Sequence, residues 1–272
     1  MNKQVIYIRN ILVLISLLIS NKLELLSQHL TYSIGDTMYV YAFDGLNLRE
    51  QPNVNSKVIG KLEFGEKVQV ANMPKIGHEN EVKIGTTKGY WVTIKQNEKT
   101  GYVFDAYLSK LPNSKLNIEV LKFKKLDLKN EEDPYEGHQM EKELLTYIEN
   151  NHLPICETVE YFDPNQGKGG QKLEITKYHN GFTKINKYGW EGYTLEYVTP
   201  NTRLSEIKNL ILYIARKAVV YEKTYMVILD SLQKIEEHNE YQQILSLSMF
   251  GINIKKYPES NTWAIEFLVA VS

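Results

Sequence analysis

Cys156 and the six histidines are the residues with which this chain could do nucleophilic or metal chemistry, and their spacing supports neither. His29, His78, His138, His152, His179 and His238 form no HExxH and no HxH pair, so a zinc site has no local basis. One cysteine makes neither an internal disulfide nor a CxxC metal pair. In an exported chain it would be buried or would join two chains, and the buried reading is preferred. Cys156 stands in Leu153-Pro154-Ile155-Cys156-Glu157, ahead of a strand, whereas an activated thiolate is expected at a helix N-terminus. No GxSxG or SxxK motif occurs. The run from Asp163 to Gly170 is rich in glycine but lacks GxxxxGK[ST], and reads as a turn. Glu131-Glu132-Asp133 lacks the alternating carboxylates and the glycine of a calcium loop. The 33 acidic residues give no means of choosing a carboxylate pair without geometry. No catalytic residue, metal or cofactor is therefore assigned.

Tyrosine is the remaining resource, with 19 in the chain. It suits half-buried strands, and it suits surfaces that stack on ligands. Tyr41, Tyr90, Tyr102 and Tyr107 cluster in one region with Arg49. Tyr102 and Tyr107 are expected to pack a core. Tyr41 and Tyr90 are the groove candidates. Arg49 is kept as a ligand-binding candidate, although an arginine at such a place more often pairs structurally.

The elements that must position these residues are short strands. Met38–Phe43, Leu46–Arg49, Lys57–Leu62, Lys67–Ala71, Tyr90–Lys95 and Thr100–Phe104 are apolar stretches separated by turn residues such as Asp44-Gly45, Pro52-Asn53 and Phe64-Gly65-Glu66. Many short strands at this spacing indicate a sandwich or small barrel. The inward set reads as Leu46, Leu48, Val58, Ile59, Leu62, Val68, Val70, Trp91, Ile94, Val103 and Leu108. Leu46-Asn47-Leu48-Arg49, Pro52, Val58-Ile59-Gly60, Leu62, Gly65 and Val68, followed by Trp91, Ile94, Gly101-Tyr102-Val103 and Tyr107-Leu108, resemble the bacterial SH3-like (SH3b) domain family. The resemblance covers residues 36–111. It implies an SH3-like barrel of five or six strands that binds rather than catalyses, in an exported protein working on peptidoglycan or peptides at the cell envelope. Such domains often accompany NlpC-type cysteine peptidases, but Cys156 lacks the setting of that nucleophile. Residues 73–88 make a longer connection than the family pattern. It is either a binding loop or a decorated hairpin.

Residues 112–136 read as a charged linker, with Ile118, Val120, Leu121 and Phe123 packing in part as a strand. From 137 to 272 the pattern is α+β. Met140, Leu144, Leu145 and Ile148 predict a helix ending near Asn150-Asn151. Strands follow at Ile155–Phe162, around Leu173 and Ile175, at Phe182–Tyr188 and at Gly192–Val198, as an antiparallel meander. Pro200-Asn201-Thr202 starts a helix with Leu204, Ile207, Leu210, Ile211 and Ile214 on one face. Residues 219–229 are ambiguous between strand and helix. Leu245, Leu247 and Met249 predict a strand. Trp263–Val271 is a long strand, apolar on both faces in places, and so central or interfacial. The fold class is thus an N-terminal all-β SH3-like barrel followed by an α+β domain with an antiparallel sheet and helices on one face.

Lys3 and Arg9 precede the apolar run Ile11–Ser20, which is the build of a secretory signal, with residues 1–27 removed by a cut after Ser27. An uncleaved anchor over residues 11–26 is the alternative, interrupted by Asn21, Lys22 and Glu24. No membrane span is expected after cleavage. A net charge of −1 gives no bulk reason to bind nucleic acid. The reading is an exported, non-enzymatic binding protein whose partner is peptidoglycan, a peptide or a protein, in the periplasm, on the cell surface or secreted. A cell-wall hydrolase with its chemistry in 137–272 is the second reading. The third is an envelope assembly protein pairing through an exposed edge at Trp263–Val271. The oligomeric state is left open.

Overall fold

A computed structural model describes residues 30–77, 79–113, 135–151, 154–162, 172–179, 181–189, 192–199, 201–218, 220, 222–236, 241–247, 250–257 and 262–270. The signal segment 1–27, the linker call with its calcium and strand readings, the glycine-rich turn and His29, His78, His152 and His238 fall outside these residues, wholly or for the most part. Among the described residues no helix is long and apolar enough to cross a membrane.

Strands β1 (Thr37–Val40), β2 (Leu46–Arg49), β3 (Val58–Leu62), β4 (Lys67–Asn72), β7 (Trp91–Gln96), β8 (Lys99–Phe104) and β9 (Leu108–Ser109) form one antiparallel sheet. A separate hairpin, β5 (Val82–Ile84) and β6 (Thr87–Gly89), lies within the long connection before β7. The order in the sheet is β3-β2-β8-β7-β4-β1-β9. Alternation decides which side chains turn inward. Leu46 and Leu48 are buried around exposed Asn47, and Val68 and Val70 around exposed Gln69. They meet Met38, Val40, Leu62, Val92, Ile94, Val103 and Leu108 in one apolar cluster.

Three expectations for this sheet change. Val58 is 46% exposed, and Ile59 is only partly buried. Leu48 pairs with Gly60 but Arg49 with Val58, so Ile59 is the extra residue of a bulge and the alternation breaks there. Trp91 is half-buried, because Val92 and Ile94 take the inward positions of β7 and Trp91 packs on Phe104 instead. The first strand ends at Val40 rather than Phe43, and Tyr41 joins a different core. The 73–88 connection contains a hairpin, in which Gly85, at φ +62°, makes the tight turn between β5 and β6.

Among the described residues the second half has three helices, α1 (Tyr135–Asn151), α2 (Leu204–Lys217) and α3 (Glu222–Lys234). Its strands are β10 (Pro154–Phe162), β11 (Lys172–Tyr178), β12 (Thr183–Gly189), β13 (Gly192–Thr199), β14 (Tyr241–Leu247), β15 (Phe250–Lys256) and β16 (Trp263–Ala270). They form an antiparallel sheet in the order β10-β11-β12-β13-β16-β15-β14. The meander is as expected. Of the ambiguous 219–229 stretch, residues 222–229 are helix, with Tyr225, Ile228 and Leu232 of α3 inward at helical spacing. Strand β15 had no counterpart in the sequence reading. The chain reverses after Leu247, and a bulge between Gln243 and Leu245 buries both Ile244 and Leu245. The exposed edge at Trp263–Val271 is corrected: β16 is bonded on both sides, to β13 and to β15, so it offers no free edge to another chain.

Candidate functional site

Helix α2 is the element both halves share. Its apolar stripe, Leu204, Ile207, Leu210, Ile211 and Ile214, is buried in the core of the second half. A second stripe at the same helical spacing, Arg203, Glu206, Asn209, Tyr213 and Arg216, faces the first sheet. Arg203, the N-cap, donates from Nη1 to Asp105 Oδ2 at 2.7 Å and from Nη2 to the carbonyls of Asp105 (3.2 Å) and Leu108 (3.1 Å). Its guanidinium lies 4.9 Å from the centre of the Tyr32 ring, whose hydroxyl donates to the same Asp105 oxygen at 2.7 Å. Glu206 Oε1 accepts from Ser109 Oγ at 2.8 Å and from the Lys110 N–H at 3.0 Å. Its Oε2 accepts from Thr31 Oγ1 at 2.8 Å and from the Arg203 N–H at 3.1 Å. Asn209 Nδ2 donates to the Ala106 carbonyl at 2.9 Å.

Asp105 is 0% exposed and Glu206 2%, so these charges have left water and need partners. Burial alone would raise the Glu206 carboxyl, but Arg203 and the N–H and hydroxyl donors outweigh it and hold the group below its ordinary value. Burial opposes the Arg203 charge too, and Asp105 and Glu206 overcome it, so its pKa moves up. Burial and the neighbouring Asp105 push the Tyr32 phenol well above its usual range, keeping it a donor. Such a set orients two bodies and leaves no carboxylate unsaturated for proton transfer.

Beside this junction lies a cleft of about 380 Å³ between the β5–β6 hairpin and the start of α2. Thr86, Thr87, Lys88, Gly89 and Tyr90 line one wall, and Leu204, Ser205 and Lys208, with Gln233 at the end of α3 and Ile235 and Glu236 after it, line the other. The Tyr90 N–H donates to Asp105 Oδ1 at 2.6 Å, which ties this wall to the buried ion pair. Gly89 permits that approach: a Cβ there would lie 2.5 Å from Asp105 Oδ1 and 3.0 Å from Ala106 Cβ. The lining supplies hydroxyls, amides, ammonium groups and carboxylates, and no histidine or cysteine among the described residues. It can hold a ligand by hydrogen bonds and charge.

The three residues singled out from sequence go to three different places. Tyr90 is on the cleft wall. Tyr41 is 2% exposed, its hydroxyl donating to the Leu111 carbonyl at 3.2 Å and its ring packed on Phe64 and Tyr213, so neither face is open to a ligand. Arg49 Nη1 donates to the Ser56 carbonyl at 2.6 Å, bracing the turn before β3 rather than meeting a carboxylate. Cys156 is on β10, and its side chain falls outside the described residues. The sequence reading missed Asp105, Arg203 and Glu206. The available signal was the polar stripe recurring every three or four residues along an otherwise apolar helix.

With this geometry in place the comparison with known families decides what the first sheet is. Residues 44–109 match the family model of the bacterial SH3 domain. The match takes in β2 to β9, including the β5–β6 hairpin and Asp105. It covers that segment alone. No curated protein and no solved structure matches the chain.

Proposed function

We propose that this chain is an exported, non-enzymatic binding protein of the bacterial cell envelope, with peptidoglycan or a peptide as its ligand and the cleft beside the SH3 domain as the place of contact. The observation that carries the reading is the bacterial SH3 match at residues 44–109, a segment that supplies one whole wall of the cleft. The cleft is of the size that small ligands and short segments occupy. Export is supported by Lys3 and Arg9 ahead of the apolar run Ile11–Ser20. The test is co-sedimentation of residues 28–272 with purified peptidoglycan. Saturable retention in the pellet is expected. Protein that stays wholly in the supernatant overturns the wall-binding reading.

A further inference from the structure

Strand β14 ends the second sheet, and among the described residues no strand is bonded to its outer side. An edge strand offers open N–H and C=O groups to any other strand, so edges are ordinarily blunted with charge or proline. The opposite edge of this sheet follows that rule. Strand β10 opens on Pro154 and carries Glu157 and Glu160. Strand β14 reverses it. Of the seven strands in the sheet, β14 alone has no charged side chain, and it has no proline. Its first residue, Tyr241, is 55% exposed.

The side-chain directions along β14 decide what can pair with it. Tyr241, Gln243 and Ser246 are exposed on the face away from the helices. Gln242 and Leu247 lie opposite Ile254 and Phe250 of the core. Ile244 and Leu245 are both buried, because the bulge between Gln243 and Leu245 interrupts the alternation. Residues directly opposed on antiparallel strands share a face. A regular strand alternates throughout, so it falls out of phase with β14 at the bulge. A second copy of β14 carries the same bulge. Laid antiparallel, it matches face to face over Gln242 to Leu247 in one register. Gln243 then stands against Ser246 of the other copy, Ile244 against Leu245, and Gln242 against Leu247. The twofold axis passes between Ile244 and Leu245, and the two bulges coincide there.

We propose that this chain forms a twofold dimer in which β14 of one copy pairs antiparallel with β14 of the other. This goes beyond the binding reading above and does not depend on it. A twofold axis across the joined edges puts both helix layers on one side of a continuous sheet. Such a dimer carries two SH3 domains and so meets a repeating polymer at two points.

The experiment is sedimentation equilibrium of residues 28–272 from about 1 to 100 μM. A single strand pair buries little area, so a dimer with a Kd on the order of micromolar is expected. Gln243→Lys with Ser246→Lys sets like charges directly opposite each other twice, and should weaken the dimer at least about tenfold. Gln243→Glu with Ser246→Lys also adds two charges, but sets opposite signs together, and should dimerise within about threefold of the parent. Both positions are exposed, so the two variants should melt close to the parent. A parent that stays monomeric at about 100 μM overturns the proposal. So does a dimer that the lysine pair leaves intact, or that both variants weaken alike. The co-sedimentation test reports separately on wall binding.

Discussion

Arg203 and Asp105 are 98 residues apart in the chain and 2.7 Å apart in the fold, and the pair joins the cap of α2 to the turn after β8. Both side chains are almost wholly out of water, with 10% and 0% exposed. A buried pair of this kind adds little over a well-packed apolar pair, but breaking it strands a charge. Arg203→Ala should therefore cost about 3–5 kcal/mol in a denaturant titration. The Arg203→Met and Asp105→Leu double variant should lose less than the sum of the single changes, the remaining loss coming from Tyr32, the Tyr90 N–H and Glu206, which lose their partners. A double variant as unstable as the sum of its single changes would show that the two residues do not act as a pair.

Tyr213 closes the same junction on its apolar side. Its ring centre is 6.0 Å from Tyr41, 5.9 Å from Phe64 and 6.0 Å from Tyr147, so it touches both halves at once. Truncating a buried aromatic costs about 3–5 kcal/mol, and Tyr213→Ala should lower stability on that scale. Because the ring is shared, thermal unfolding of the parent should be a single transition. Two separate transitions in the parent would show that the halves melt independently. Tyr41→Phe should lose the hydroxyl's bonds to the Leu111 carbonyl and to Tyr147, on the order of 1 kcal/mol each, and leave peptidoglycan retention unchanged.

Much of this fold is legible wherever one side of an element is apolar. Leu46 and Leu48, Val68 and Val70, and the Leu204–Ile214 stripe each announce a period and a buried face. The readings fail where a local irregularity or a distant partner overrides the period. The bulge opposite Leu48 takes Val58 out to solvent. Strand β15 does carry a period-two signal, with Phe250, Ile252 and Ile254 in the core and Gly251, Asn253 and Lys255 on the other face, so the sequence reading lacked it for no physical reason. Tyr41 looked like a surface aromatic because nothing nearby in sequence reveals that Tyr213 will cover it. The cleft shares this limit. Tyr90 could be suspected from its neighbours, but Lys208 and Ser205, on the opposite wall, follow it by more than a hundred residues.

Gly89 links the cleft to the junction. A methyl group there would press on Asp105 Oδ1 at 2.5 Å and on Phe104 Cε2 at 3.1 Å, and neither neighbour is the free end of a flexible chain. Overpacking of this sort costs about 1–3 kcal/mol. Gly89→Ala should show that loss in a thermal melt. It should also shift the Tyr90 amide, whose bond to Asp105 it disturbs. An Ala variant with the parent's stability and an unmoved Tyr90 signal would show that the wall has room to yield.

Glu206 sets the response to acid. Its carboxyl is held below the ordinary value of 4.5, against its own burial, by Arg203 and by the donors from Arg203, Lys110 and Ser109. The unfolded chain takes up this proton first as pH falls, so between the ordinary and the folded value it binds more protons than the native state. The stabilisation from Glu206 is therefore complete above pH 4.5 and is lost as pH drops through the folded value. Glu196, also held low against burial by Lys187 and Tyr257, adds to the same window. Glu206→Gln should be less stable than the parent at pH 7 by about 1–3 kcal/mol. Its stability should also fall less steeply below pH 4.5, the residual slope belonging to Glu196 and other carboxylates. Denaturant midpoints measured from pH 7 down to pH 3 read both effects. Parallel curves for parent and variant would remove Glu206 from the acid response.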